Sequence, residues 1–279
     1  MQYQFHMRNV IISLLFATSF IACNTAIKDK SNQSAMATDS LQEPDIYVLR
    51  QRLFDYFERH KHEDAFDTTD DTYNRYWGYS YRPNTVEAGH LLCINKTHAV
   101  IRFSDSLNNG IFVFLKDKGE WNKIYEDTTL EIGIDEHPVP YYKDWNGDGI
   151  KDISVSNTYP TNYTERFRLY LSIDSGRQIV NVRGFENIYN PEVDSNNMIS
   201  SVYAHAGNFL AGKYVINKDT IKELRLIHIY PLSENGKDSL CAVFSENGKT
   251  KKTIKSTGKG IVQQIPAQYR KDVEAYFLH

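Results

Sequence analysis

Between Asp144 and Asp152 the chain reads DWNGDGIKD. Side-chain oxygens recur at every second position, Asp144, Asn146 and Asp148, and Gly149 follows where such a loop turns most sharply. A hard divalent cation needs several oxygens converging at roughly 2.3–2.6 Å, and alternate residues of a tight loop point inward to supply them. With Asp144 as the first position, Asn146 stands at the third, Asp148 at the fifth, the carbonyl of Ile150 at the seventh and Asp152 at the ninth. Calcium suits that ligand set, and its role would be structural, because three carboxylates gathered without a counter-ion repel. The twelfth position is Val155, not Glu, so the bidentate ligand of a helix-loop-helix site is missing. The loop is therefore expected to join two strands and to take a remaining ligand from elsewhere or from water. The alternatives are Mg²⁺ in place of calcium, or an Asx-rich turn that binds no metal, since the same residues dominate ordinary turns.

Other reactive groupings carry less. Asp135-Glu136-His137 is a polar strand end, because neighbours on a strand face opposite ways. His60, His62, Glu63 and Asp64 could surround a cation, but HKHEDAFDTTDD reads more simply as a solvated acidic loop. His205 and His228 lie within apolar runs and read as packed or turn histidines. With no nucleophile elbow, zinc-type His-x-x-x-His or phosphate loop in the sequence, the chain reads as a binding protein and not an enzyme, with an uncharacterised envelope hydrolase as a lesser alternative. The stripe Tyr73, Tyr76, Trp77, Tyr79 and Tyr81 could stack on sugar rings, which makes a glycan a possible partner, although aromatic strands more often pack a core. Lys249, Lys251, Lys252, Lys255 and Lys259 could meet an acidic surface, and by default form a solvated hairpin end.

The elements that must position these residues follow from pattern. The 279 residues include 19 Tyr and 14 Phe, enough to bury a sizeable core, and a net charge of −3 gives no case for nucleic acid. Residues 1–22 form a signal peptide: His6 and Arg8 precede an apolar run from Val10 to Ala22, too short to span a bilayer. The run ends Phe20-Ile21-Ala22-Cys23, which resembles the bacterial lipobox and implies lipidation of Cys23, with an ordinary secretory signal as the alternative. Residues 23–43 are then a small, polar tether, and 44–279 a single β-rich domain held to the lipid bilayer, at the outer membrane facing the periplasm or, as the alternative, exposed at the cell surface.

Pro44 and Asp45 open a helix running to about His60, with Leu49, Leu53, Tyr56 and Phe57 on one face. Short alternating runs follow: 76–81, 91–94, 98–103, 111–115, 121–125, 139–143, 153–158, 167–173, 178–183, 198–203, 213–216, 221–229 and 240–244. Asn109-Gly110, Lys118-Gly119, Asp174-Ser175-Gly176 and the repeated Glu-Asn-Gly-Lys at 234–237 and 246–249 supply turns. Tyr269, Val273, Tyr276 and Phe277 imply a short terminal helix. Many strands without alternating helices predict an all-β, mainly antiparallel fold: a sandwich, barrel or propeller-like meander with short helices near both ends of the domain. Cys93 and Cys241 form either a disulfide or two buried thiols.

The loop resembles the calcium loops of FG-GAP and integrin-like propeller proteins. The longer stretch from Val139 to Tyr230 resembles bacterial envelope proteins related to periplasmic lysozyme inhibitors: after the loop come Phe167–Leu171, the Asp174-Ser175-Gly176 turn, and Asn187 to Asp194 with Asn190-Pro191. That resemblance implies a small propeller-like domain which inhibits a lysozyme or other peptidoglycan hydrolase by inserting a loop into its cleft. One departure stands out: the Ser-Gly-x-x-Tyr element of several such inhibitors is absent, because Ser175-Gly176 is followed by Arg177, Gln178 and Ile179.

Overall fold

The computed structural model describes residues 46–70, 84–104, 109–129, 140–156, 164–234, 237–256, 260–270 and 273. Cys23 with its signal and tether, the Tyr73 to Tyr81 stripe, Asp135-Glu136-His137, and Tyr276 and Phe277 lie outside the described residues.

The chain is all-β and antiparallel. Helix α1 (Ile46–His60) leads into strands β1 (Phe66–Asp70), β2 (Asn84–Gly89), β3 (His98–Ser104), β4 (Asn109–Asp117) and β5 (Glu120–Asp127), which form the first sheet in that order. Strands β6 (Tyr141–Lys143), β7 (Asp152–Ser156), β8 (Phe167–Ile173) and β9 (Gln178–Asn181) form the second. The third holds β10 (Glu192–Val193), β11 (Ile199–His205), β12 (Asn208–Asn217), β13 (Thr220–Glu234), β14 (Lys237–Glu246) and β15 (Lys249–Ser256), followed by helix α2 (Gly260–Gln264). Each sheet is an up-and-down meander whose neighbours are consecutive in sequence.

Strand alternation sends successive side chains into different cores. In the first sheet Ile101 and Phe112 pack with Leu53 and Phe57 of α1. Val100, Ile111 and Val113, one residue away, pack instead with Ile153, Val155 and Tyr170 of the second sheet. A further cluster, with Trp145, Leu169 and Phe185 on one side and Ile199 and Tyr214 on the other, joins the second sheet to the third. The remaining face of the third sheet, Phe209, Ile227, Ile229 and Phe244, is covered by Ile261, Ile265, Tyr269 and Val273. Among the described residues no helix is long and apolar enough to cross a membrane.

Several expectations are corrected. Leu91–Ile94 is a loop: Leu92 is buried, but Ile94 is 91% exposed and the segment has no strand partner. The acidic segment after His60 contains β1, paired from Phe66↔Ala88 to Asp70↔Asn84, and only Phe66 of that strand is buried. Asn109-Gly110 lies within β4, not in a positive-φ turn; a Cβ at Gly110 would come within 2.5 Å of the Phe103 ring and 2.8 Å of the Asp127 carbonyl, so glycine serves close approach there. The lysine-rich segment is, as expected, a solvated hairpin end: Lys249, Lys251, Lys252 and Lys255 lie exposed on edge strand β15, where only Ile254 is buried, and Lys259 lies outside the described residues. Cys93 and Cys241 are both free thiols, Cys241 buried and Cys93 partly exposed. Lys118-Gly119 and Asn247-Gly248 do form left-handed hairpin turns, with φ of 52° and 87° and of 53° and 72°.

Candidate metal-binding loop

Asp144 to Lys151 connects β6 to β7, which pair antiparallel from Tyr141↔Ser154 to Lys143↔Asp152, and Asp152 begins β7. The loop thus joins two strands. Glycine is required twice by backbone shape, at Gly147 (φ 78°) and Gly149 (φ 81°).

The side chains expected to ligate a cation are turned onto the loop itself. Asp144 Oδ1 accepts hydrogen bonds from the amides of Gly147 (2.7 Å) and Asp148 (3.2 Å), and its Oδ2 accepts from the Gly149 amide (2.9 Å). Asn146 Oδ1 accepts from the Asp148 amide (3.1 Å), while its Nδ2 donates to Asp148 Oδ2 (2.9 Å). Asp148 Oδ1 accepts from the Ile150 amide (2.8 Å). These bonds curl the chain around its own carboxylates; Asp144 Oδ1 accepts two of them, and each of the other oxygens accepts one.

Asp152 is fully buried. Its Oδ2 accepts from the Trp145 amide (2.8 Å) and its Oδ1 from the Ser172 amide of β8 (2.9 Å), so one carboxylate closes the loop and fastens it to the next strand. Burial pushes the Asp152 carboxyl up to about 7; the two amides work against that shift, and the Asp148 and Asp144 charges add to it. Among the described residues no three His, Cys, Asp or Glu side chains converge as a ready-made metal cage. The carbonyl expected from Ile150 is the one backbone member of the set, and the donor chemistry, Asp, Asn and carbonyl oxygen only, suits a hard cation over a soft one.

Three residues that pattern reading did not single out hold this loop. Trp145 is 4% exposed and packs edge-on against Phe185 with ring centroids 5.2 Å apart, and the Lys143 ammonium lies 4.6 Å from its ring centre. Ser172 supplies a backbone amide, which no side-chain pattern reveals. Asn197, from the turn between β10 and β11, sits against Gly147, where a Cβ would overlap its carboxamide. The only sequence signal for that approach is a glycine at the fourth loop position.

The other candidate groups are accounted for by ordinary pairing. His60 Nδ1 lies 2.8 Å from Glu63 Oε1 and Asp64 is paired with Lys116 at 2.8 Å, so these residues form a surface ion-pair cluster. His205 ends β11 in the open, and His228 lies half-buried in β13, where burial lowers its pKa.

The fold and the loop define a class: an antiparallel all-β chain with an oxygen-rich loop between two strands of its middle sheet. No family model matches the chain, and no curated protein matches it. It is similar to a solved structure of a Xanthomonas protein described as type IV secretion system related, at 14% identity over 58% of this chain and 90% of that one, with a TM-score of 0.37.

Proposed function

We propose that this protein is a calcium-binding, lipid-anchored envelope protein that acts as a non-enzymatic binding module and inhibits a lysozyme or other peptidoglycan hydrolase. Asp144, Asn146, Asp148, the Ile150 carbonyl and Asp152 would hold the ion, Cys23 would carry the lipid, and the three meanders would stand as blades of a propeller-like domain. The observation that carries this reading is the loop between two paired strands, in which Asp144 and Asp148 accept hydrogen bonds from backbone amides and one carboxamide, while the buried Asp152 closes the loop and feels the charge of both. A bound cation would supply the missing charge and fix the strand connection.

A second feature supports insertion into a partner's cleft. Asp174, Ser175 and Gly176 have consecutive left-handed φ values of 50°, 54° and 82°. Their carbonyls are tied down from behind: Lys96 Nζ donates to Ser175 O (2.5 Å), and His98 Nε2 lies 2.7 Å from Gly176 O. Asp174, Ser175 and Arg177 remain exposed, and Cys93, which precedes the exposed Ile94 in the neighbouring loop, approaches Ser175 O with its Sγ at 3.7 Å. A rigid turn bearing the exposed cation Arg177, with an exposed aliphatic side chain on the neighbouring loop, suits an acidic cleft better than a smooth surface would.

Capture assays against a panel of lysozymes and envelope muramidases, in calcium and in chelator, test the proposal. Calcium-dependent capture with loss of lytic activity is expected, and Ile94→Glu with Arg177→Glu should weaken it at least tenfold, about 1.4 kcal/mol, without moving the melting temperature. Absence of capture in both conditions would overturn the inhibitor reading. A glycan-binding reading draws on the half-buried Tyr189–Tyr203 stack, with centroids 4.7 Å apart and the Arg166 guanidinium 5.5 Å from the Tyr189 ring centre. Retention on peptidoglycan or polysaccharide in place of enzyme capture would select it.

A further inference from the structure

We infer that Asn197 is the positioning residue that makes the β6–β7 loop and the β10–β11 turn one ordered unit, so that order in the loop is passed to the third sheet. At the fourth position of the loop a side chain would normally project outward. Gly147 has none, and the space its Cβ would occupy is filled by the carboxamide of Asn197, whose Nδ2 and Oδ1 both lie within 2.5 Å of where that atom would stand. No comparable neighbour stands at Gly149, where a Cβ would meet nothing within 4 Å. The contact is thus specific to one face and one residue of the loop.

The turn presenting Asn197 is itself rigid. Asn197 has φ 58°, a left-handed conformation that asparagine tolerates better than most residues, and its amide donates to the Asp194 carbonyl (3.0 Å). Asp194 Oδ1 accepts from the amides of Asn196 (2.8 Å) and Met198 (3.1 Å), and the Asp194 amide donates to the Met198 carbonyl (2.9 Å). Asp194 Oδ2 reaches Lys213 Nζ on β12 at 3.4 Å. A route of touching groups therefore runs from Gly147 through Asn197 and Asp194 to Lys213. Met198 and Lys213 both line a cleft of ≈ 400 Å³ on the third sheet, together with Arg225 and Glu246. Trp145 fastens the base of the loop to the same sheet through their shared core, and Asn197 fastens the tip. Loss of Asn197 should free the tip while leaving the base in place.

The transmission of ion binding, as distinct from the clamp itself, rests on the calcium reading above. Residue-resolved amide exchange on the full chain, with calcium or with chelator, separates the two. In chelator, Asn197→Ala should speed exchange at Gly147, Asp148 and Gly149 at least fivefold, whereas Asn196→Ala, at an exposed neighbour with no such contact, should leave those amides unchanged. With calcium, the wild-type chain should slow exchange at Asn196 and Met198 as well as in the loop, and Asn197→Ala should confine the slowing to the loop while the global melting temperature falls by no more than the few degrees that alanine costs at φ 58°. Equal loop exchange in wild type and Asn197→Ala overturns the clamp. Unaltered exchange of the wild-type loop on adding calcium overturns the calcium reading, and the chelator comparison still decides the clamp.

Discussion

The two glycines of the loop show how similar residues can be required for different reasons. Gly147 and Gly149 share left-handed φ values of 78° and 81°, so alanine at either pays the conformational penalty of that region, about 1–2 kcal/mol. Only at Gly147 does the added methyl also strike another side chain. Gly147→Ala is therefore expected to lower the unfolding free energy more than Gly149→Ala by up to about 1 kcal/mol, and the difference should vanish in an Asn197→Ala background. Urea unfolding of the two single and two double variants checks this, and an unchanged difference would mean that the collision with Asn197 is relieved without cost. At this scale the ligand types, their spacing and the need for glycine were legible in the sequence. The reach of Asn197 and the Ser172 amide was not, because both depend on which strands pack beside the loop.

Elements were legible where apolar residues run together or recur at a regular spacing. Strands β3, β4 and β8 show short, largely apolar runs buried on both faces, β13 shows alternation through Ile227 and Ile229, and α1 shows its helical stripe through Leu53 and Phe57. Strands β1 and β15 do not: each buries a single apolar side chain, Phe66 or Ile254, and is held as a strand by its ladder to a neighbour. Leu91–Ile94 fails in the other direction, its apolar residues being spent on a core contact by Leu92 and on exposure by Ile94. The first two sheets are joined by more than apolar packing. Asp127, at the end of β5, accepts from the Thr129 amide (2.8 Å) and hydroxyl (2.9 Å) and from the Tyr170 hydroxyl of β8 (3.0 Å), with Arg168 Nη1 at 3.5 Å. Burial alone would raise its carboxyl, but those donors and the guanidinium outweigh it and hold it below the ordinary value of 3.8. A carboxyl depressed in the folded state contributes stability that is present above about pH 4 and lost as pH falls through its folded value. Asp127→Asn is expected to cost about 1–3 kcal/mol at pH 7 and to shrink the loss between pH 5 and pH 2. Urea midpoints at those pH values test it, and an undiminished acid loss would assign that step to other carboxylates.

For the molecule as a whole, the middle sheet matters most because it shares one core with the first sheet and another with the third. The loop leaves that sheet with Trp145 set in the second of these cores, so ordering the loop should register in the stability of the whole unit from Leu41 to His279. Binding to the folded state alone adds about 2.7 kcal/mol when the ligand is at a hundred times its dissociation constant. For a domain of this size that is a rise of about 5–10 °C in melting temperature. Asp148→Ala removes one carboxylate from the ligand set together with two exposed hydrogen bonds, from the Ile150 amide and Asn146 Nδ2, and relieves repulsion with Asp152. In chelator those opposing effects should nearly cancel, and the variant should melt within about 2 °C of wild type. In excess calcium it should fall short by most of the calcium-induced rise. Differential scanning calorimetry of both proteins in both conditions decides the matter: a deficit confined to calcium makes the ion part of the fold, whereas equal deficits in calcium and chelator would reduce the loop to an Asx-rich turn held by its own amides.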